Sequence, residues 1–98
     1  MIRKVVHYSG RVQGVGFRYT TANLAKRFDV AGYVRNLPDG QVLLDVQGSP
    51  DQVQGLLDAI DGAMVDNIKT TDVSDRPVDE LLGEPHDPDT FGIRYRYG

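Results

Sequence analysis

Gly10-Arg11-Val12-Gln13-Gly14-Val15-Gly16-Phe17-Arg18-Tyr19-Thr20-Thr21-Ala22-Asn23-Leu24-Ala25 decides the reading of the fold, because one periodicity ends in it and another begins. Upstream, Val6, Tyr8, Gly10 and Val12 alternate with His7, Ser9 and Arg11. A period of two places the apolar set on one face of a half-buried strand. Downstream, Thr21, Leu24, Ala25 and Phe28 fall at i, i+3, i+4 and i+7, the spacing of one buried helical face. Between them, Gln13 to Arg18 form a glycine-rich break. Gly32 reads as the glycine that follows the helix end.

Further along, Tyr33-Val34-Arg35-Asn36-Leu37 and Gln41-Val42-Leu43-Leu44-Asp45-Val46-Gln47 flank Pro38-Asp39-Gly40. Two strand-like runs around such a turn predict a hairpin. A second helix is expected to start at Ser49 as N-cap, with Pro50 in its first position and Gln52 closing a capping box. Val53, Leu56, Leu57 and Ile60 supply its buried face, and Asp61-Gly62 its end. Met64 to Val73 has β-branched residues but poor alternation, as an edge strand would. Arg76 to Thr90, with three prolines and many acids, reads as loop with one helical turn at Asp79–Leu82. Phe91, Ile93, Tyr95 and Tyr97 alternate with Gly92, Arg94 and Arg96 as a last strand. The order is βαββαβ plus a closing strand: an α+β fold with two helices on one face of a mainly antiparallel sheet.

At 98 residues the chain is expected to form one domain, 1–98, since roughly 60–70% burial of so short a chain supports a single core. It holds no run of eighteen apolar residues to span a membrane. Its first residues, Met1 to His7, go straight into strand-like sequence and lack a signal-peptide block, so a cytoplasmic address is expected. Cysteine is absent, which removes disulfides, thiol nucleophiles and zinc–thiolate sites. His7 and His86 stand far apart, leaving little material for a metal site.

Net charge is −3, but unevenly placed: residues 1–36 carry seven Lys/Arg against one acid, residues 37–98 four against thirteen. A basic first third on an acidic chain suggests a local anion site, or simply uneven surface charge. The glycine-rich break is the candidate. A turn into a helix gathers backbone N–H groups that lack intrahelical acceptors, and the helix dipole favours an anion there. Arg18, in the first helical turn, adds a planar fork of donors suited to phosphate. The break is neither a Walker A loop nor GxGxxG. A turn that only reverses the chain would also fit.

Gly10-Arg11-Val12-Gln13-Gly14-Val15-Gly16-Phe17-Arg18 resembles the first motif of the acylphosphatase family, GxVQGVxFR. Gly32-Tyr33-Val34-Arg35-Asn36-Leu37-Pro38-Asp39-Gly40-Gln41-Val42 resembles the second, GxVxNxxDGxV, and Phe91-Gly92-Ile93-Arg94-Tyr95 is similar to its C-terminal strand. The resemblance covers nearly the whole chain, departing from it at the acidic stretch Asp75–Thr90. It implies a ferredoxin-like α/β sandwich that hydrolyses acyl phosphates to a carboxylate and inorganic phosphate. It also implies a phosphate cradle built from Gln13, Gly14, Val15, Gly16, Phe17 and Arg18, with Arg18 and Asn36 catalytic: Arg18 holds the phosphoryl group and Asn36 the attacking water. No cofactor is implied, and none of these residues is a metal ligand. The expected partners are a small acyl phosphate and inorganic phosphate as product or inhibitor, with no nucleic acid, no membrane and a monomeric state.

Such chemistry needs few groups. The leaving group is a carboxylate, a weak base, so a general acid is dispensable. Phosphoryl transfer asks the protein for positioning and charge stabilisation. Two other functions share the pattern. A binding module would grip phosphate or carboxylate without turnover, as in the acylphosphatase-like module of hydrogenase-maturation carbamoyltransferases. RNA-recognition domains share the βαββαβ order but stack bases on aromatics, which Gln41–Gln47 lacks. His7 is expected to be exposed, Phe91, Tyr95 and Tyr97 to serve the core or sheet face, Arg94 and Arg96 to be solvated, and Asp45 to pair with a basic residue across the strands.

Overall fold

The alternation that opens the chain becomes β1, Ile2–Gly10, and the helical spacing becomes α1, Phe17–Ala25. The hairpin strands are β2, Val30–Asn36, and β3, Val42–Gly48; they are followed by α2, Pro50–Ala63, and β4, Ile68–Arg76. A single 3-10 turn, Glu80–Leu82, precedes β5, Phe91–Arg94. The computed structural model describes residues 1–85 and 90–95. Its sheet runs β4-β1-β3-β2-β5, with every neighbouring pair antiparallel except β2 and β5, which are parallel. This is the ferredoxin-like α+β arrangement.

One face of the sheet is apolar. Val6, Tyr8, Val34, Val42, Leu44 and Val46 meet Phe17 and Ala25 of α1 and Val53, Leu56, Leu57 and Ile60 of α2 in one cluster. Each fully buried aliphatic chain here contributes roughly 1.5–3 kcal/mol. The other face is only half apolar, and the acidic segment covers part of it. The Gln47 side chain, 1% exposed, donates to the Asp79 and Gly83 carbonyls at 2.8 and 3.2 Å and accepts from the Asp79 N–H at 2.9 Å. Leu82 is buried alongside. Asp45, as expected, pairs across strands: Arg3 donates to both its carboxylate oxygens, at 2.9 and 2.8 Å.

Several boundaries and one cap differ from the sequence reading. Gly32 does not follow the helix end; it lies inside β2, which begins at Val30 and not Tyr33. At φ 141° any Cβ there would sit 1.8 Å from the Asp45 carbonyl oxygen, so the position requires glycine for close strand approach. Ser49 and Pro50 start α2, but no capping box forms: Gln52 accepts instead from the Asp29 N–H at 2.9 Å. That helix ends at Ala63, one residue beyond Gly62. The edge strand runs Ile68–Arg76, four residues later than expected at its start, because Met64 to Asn67 form the turn that follows α2. Tyr97, Arg96 and His86 lie outside the described residues.

Candidate active site

The site begins with two backbone angles. Gly14 and Gly16 hold φ 76° and 78°, the left-handed region that costs other residues about 1 kcal/mol or more, and nothing lies within 4 Å of a Cβ at either. Conformation, not crowding, calls for glycine. Gly16 is the N-cap of α1 and carries no side-chain cap, so the first turn of the helix is left open. The first helical bond is Thr20 N–H to the Gly16 carbonyl, at 2.9 Å. Among the described residues, none of the backbone N–H groups of Gln13 to Arg18 donates to a protein acceptor. Six adjacent donors without acceptors are what a helix-start anion site presents.

Two anchors hold the turn. On one side Arg11 N–H donates to the Asn67 carbonyl at 2.9 Å, and Asn67 Nδ2 returns a bond to the Arg11 carbonyl at 3.2 Å. On the other, Gln13 Nε2 donates to the Leu37 and Gln41 carbonyls at 2.8 and 2.9 Å. The Gln13 side chain therefore fastens the turn to the β2–β3 hairpin. The hairpin closes with Leu37 N–H to the Gln41 carbonyl at 2.8 Å, directly after Asn36. The Phe17 ring is spent on the core, 5.1 Å from the Tyr8 ring, which plants the start of α1 on the sheet. Val15 packs its side chain against the same core.

Arg18 and Asn36, both half-buried, then line one cavity of about 90 Å³ together with Val12, Gly14, Gly16, Phe17 and Tyr19. A space of that size suits a small oxyanion better than a bulky ligand. A wider hollow of about 410 Å³ lies beside Tyr33 and Arg94, away from the glycine-rich turn. His7 is remote from this cavity: it lies on the sheet, opposite Leu43 and Asp72. Among the described residues no three His, Cys, Asp or Glu side chains gather as a metal site requires. Nor, among the described residues, is any helix long and apolar enough to cross a membrane.

Tyr95 is where the sequence reading erred. It was expected in the core or on the sheet face, yet it is 64% exposed, and the Arg18 guanidinium lies 4.9 Å over its ring. Tyr19, 61% exposed, meets it hydroxyl to hydroxyl at 3.3 Å. Alternation along β5 could not reveal this, since the strand ends at Arg94 and Tyr95 leaves its pleat.

A family model described as acylphosphatase matches residues 4–86. An acylphosphatase from Bifidobacterium longum is 43% identical over 95 residues, which is 96% of this chain and 93% of the relative. One from Yersinia pseudotuberculosis is 38% identical over 94 residues, covering 93% of this chain and 94% of its own. The crystal structure of an acylphosphatase from Bacillus subtilis superposes with a TM-score of 0.79 at 29% identity, over 97% of this chain and 100% of that one.

Proposed function

This chain belongs to the acylphosphatase family and hydrolyses acyl phosphates, and we propose that Arg18, the amides of Gln13 to Arg18 and Asn36 carry out that reaction. One observation supports the assignment above the rest: Arg18 and Asn36 line the same small cavity as a turn whose N–H groups are unclaimed. The Arg18 fork and the amides hold the equatorial phosphoryl oxygens, where negative charge concentrates during transfer. Asn36 has both a carbonyl and an NH₂ on its side chain, so it orients a water through its hydrogen and its lone pair at once.

The water oxygen bonds to phosphorus as the bond to the acyl oxygen breaks. The electron pair leaves with the carboxylate, and the water's proton passes to a phosphoryl oxygen, giving inorganic phosphate. No protein acid or base is consumed. All of these groups come from one chain, so a single copy of it suffices for the reaction.

Release of phosphate from benzoyl phosphate tests the assignment. The wild type should turn over, and Arg18→Ala should lose about 10³–10⁵ in kcat, the scale of an arginine that stabilises a phosphoryl transition state. Near-normal turnover in that variant would remove Arg18 from the mechanism.

A further inference from the structure

We propose that Tyr19 and Tyr95 form an aromatic wall at the mouth of the phosphate cradle and select acyl phosphates whose acyl group is planar and apolar, an inference that rests on the assignment of the cradle above. Two large rings stand more than half exposed at this rim, beside the cavity that Arg18 and Asn36 line. They come from different elements. Tyr19 follows Arg18 in the first turn of α1 and lines the cavity itself; Tyr95 follows the last residue of β5. Their hydroxyls meet, and Arg18 lies over the Tyr95 ring, so neither ring is a loose surface side chain.

The guanidinium geometry explains how one residue serves both parts of a substrate. Its donors lie in the plane and point at phosphate oxygens, while its face is free to stack on an aromatic ring. A phosphoryl group held at the edge of Arg18 therefore sits beside the Tyr95 ring that lies against its face. The acyl group is joined to phosphorus through a single oxygen and must leave the cradle through this mouth. A methyl group from an acetyl substrate barely reaches the wall. A phenyl ring lies along it and gains offset or edge contacts. The hydrogen bond shared with Tyr19 holds the Tyr95 phenol above its ordinary pKa, against the lowering effect of Arg18, so the Tyr95 ring stays uncharged at neutral pH.

The test compares kcat/KM for benzoyl and acetyl phosphate in the wild type, Tyr95→Ala, Tyr19→Ala and Tyr95→Phe. Using the ratio of the two substrates cancels their intrinsic reactivity and any shared effect on Arg18. Tyr95→Ala and Tyr19→Ala should each lower the benzoyl-to-acetyl ratio by about three- to tenfold, mainly through KM for benzoyl phosphate. Tyr95→Phe, which keeps the ring, should retain the ratio. An unchanged ratio in the alanine variants, with both substrates slowed equally, would make Tyr95 a support for Arg18 and overturn the wall. A wild type that hydrolyses neither substrate would instead defeat the cradle assignment, before any variant is compared.

Discussion

Asn36 ends β2 with a side chain that takes no hydrogen-bond partner among the described residues and faces the cavity shared with Arg18. A strand-ending amide usually caps its own turn; here Asp39 does that, accepting from the Gln41 N–H at 3.0 Å, which leaves Asn36 available for a water. Asn36→Ala should cost roughly 10²–10³ in kcat, the size of a lost transition-state donor, with little change in inhibition by inorganic phosphate. If phosphate affinity collapsed instead, Asn36 would be a phosphate ligand. Gln13 illustrates what residue-level reading leaves open. Sequence placed it in the turn, but whether its side chain faces the anion or the hairpin depends on two carbonyls more than twenty residues away. Gln13→Ala keeps the backbone amide and loosens the turn from the hairpin, so kcat should fall by about 10–10², the scale of a small misplacement, with Arg18 still present.

The helices were legible in the sequence because each writes its buried face at 3.6-residue spacing, and the apolar sets of α1 and α2 do reach the core. Boundaries were less so. A glycine after a helical run has the same signature whether it ends the helix or admits a neighbouring carbonyl, and only the approach of β3 to Gly32 tells them apart. The acidic segment was illegible for a similar reason: its cover over the sheet depends on Gln47, a buried amide no periodicity marks. Two strand positions carry stability predictions. Arg3→Ala strands the Asp45 carboxylate, 3% exposed, and should cost about 2–4 kcal/mol in denaturant unfolding. Tyr8 carries the opposite expectation. Its hydroxyl is fully buried without a partner among the described residues, and burial raises its pKa above the ordinary 10.0. The folded state then holds the phenolic proton longer than the unfolded chain, so stability falls as pH rises beyond 10.0. Tyr8→Phe should be neutral or stabilising by up to about 1 kcal/mol at pH 7 and should weaken that alkaline loss in thermal melts.

Across the whole molecule, the charge division has a structural outlet. The basic first third supplies β1, the turn and α1, but Arg3 pairs with Asp45 and Lys4 with Asp75, and among the described residues the cation that lines the cradle is Arg18. A local positive field on an acidic protein speeds encounter with an anionic substrate and is screened by salt, so kcat/KM should fall with ionic strength more than kcat does. Among the described residues, no histidine or carboxylate lines the cavity. A pH–rate plateau through the range where histidine ionises is therefore expected, and a steep limb near pH 6–7 would implicate a base outside the cradle. The cradle, meanwhile, is an electrostatic claim about a turn, and it can be observed without catalysis. Titrating the isotopically labelled protein with inorganic phosphate while following its backbone amide resonances tests it most directly. The amides of Gly14, Val15, Gly16, Phe17 and Arg18 should shift together along one saturable isotherm that Arg18→Ala weakens severely. Shifts centred elsewhere, with those five amides unmoved at saturation, would contradict the account.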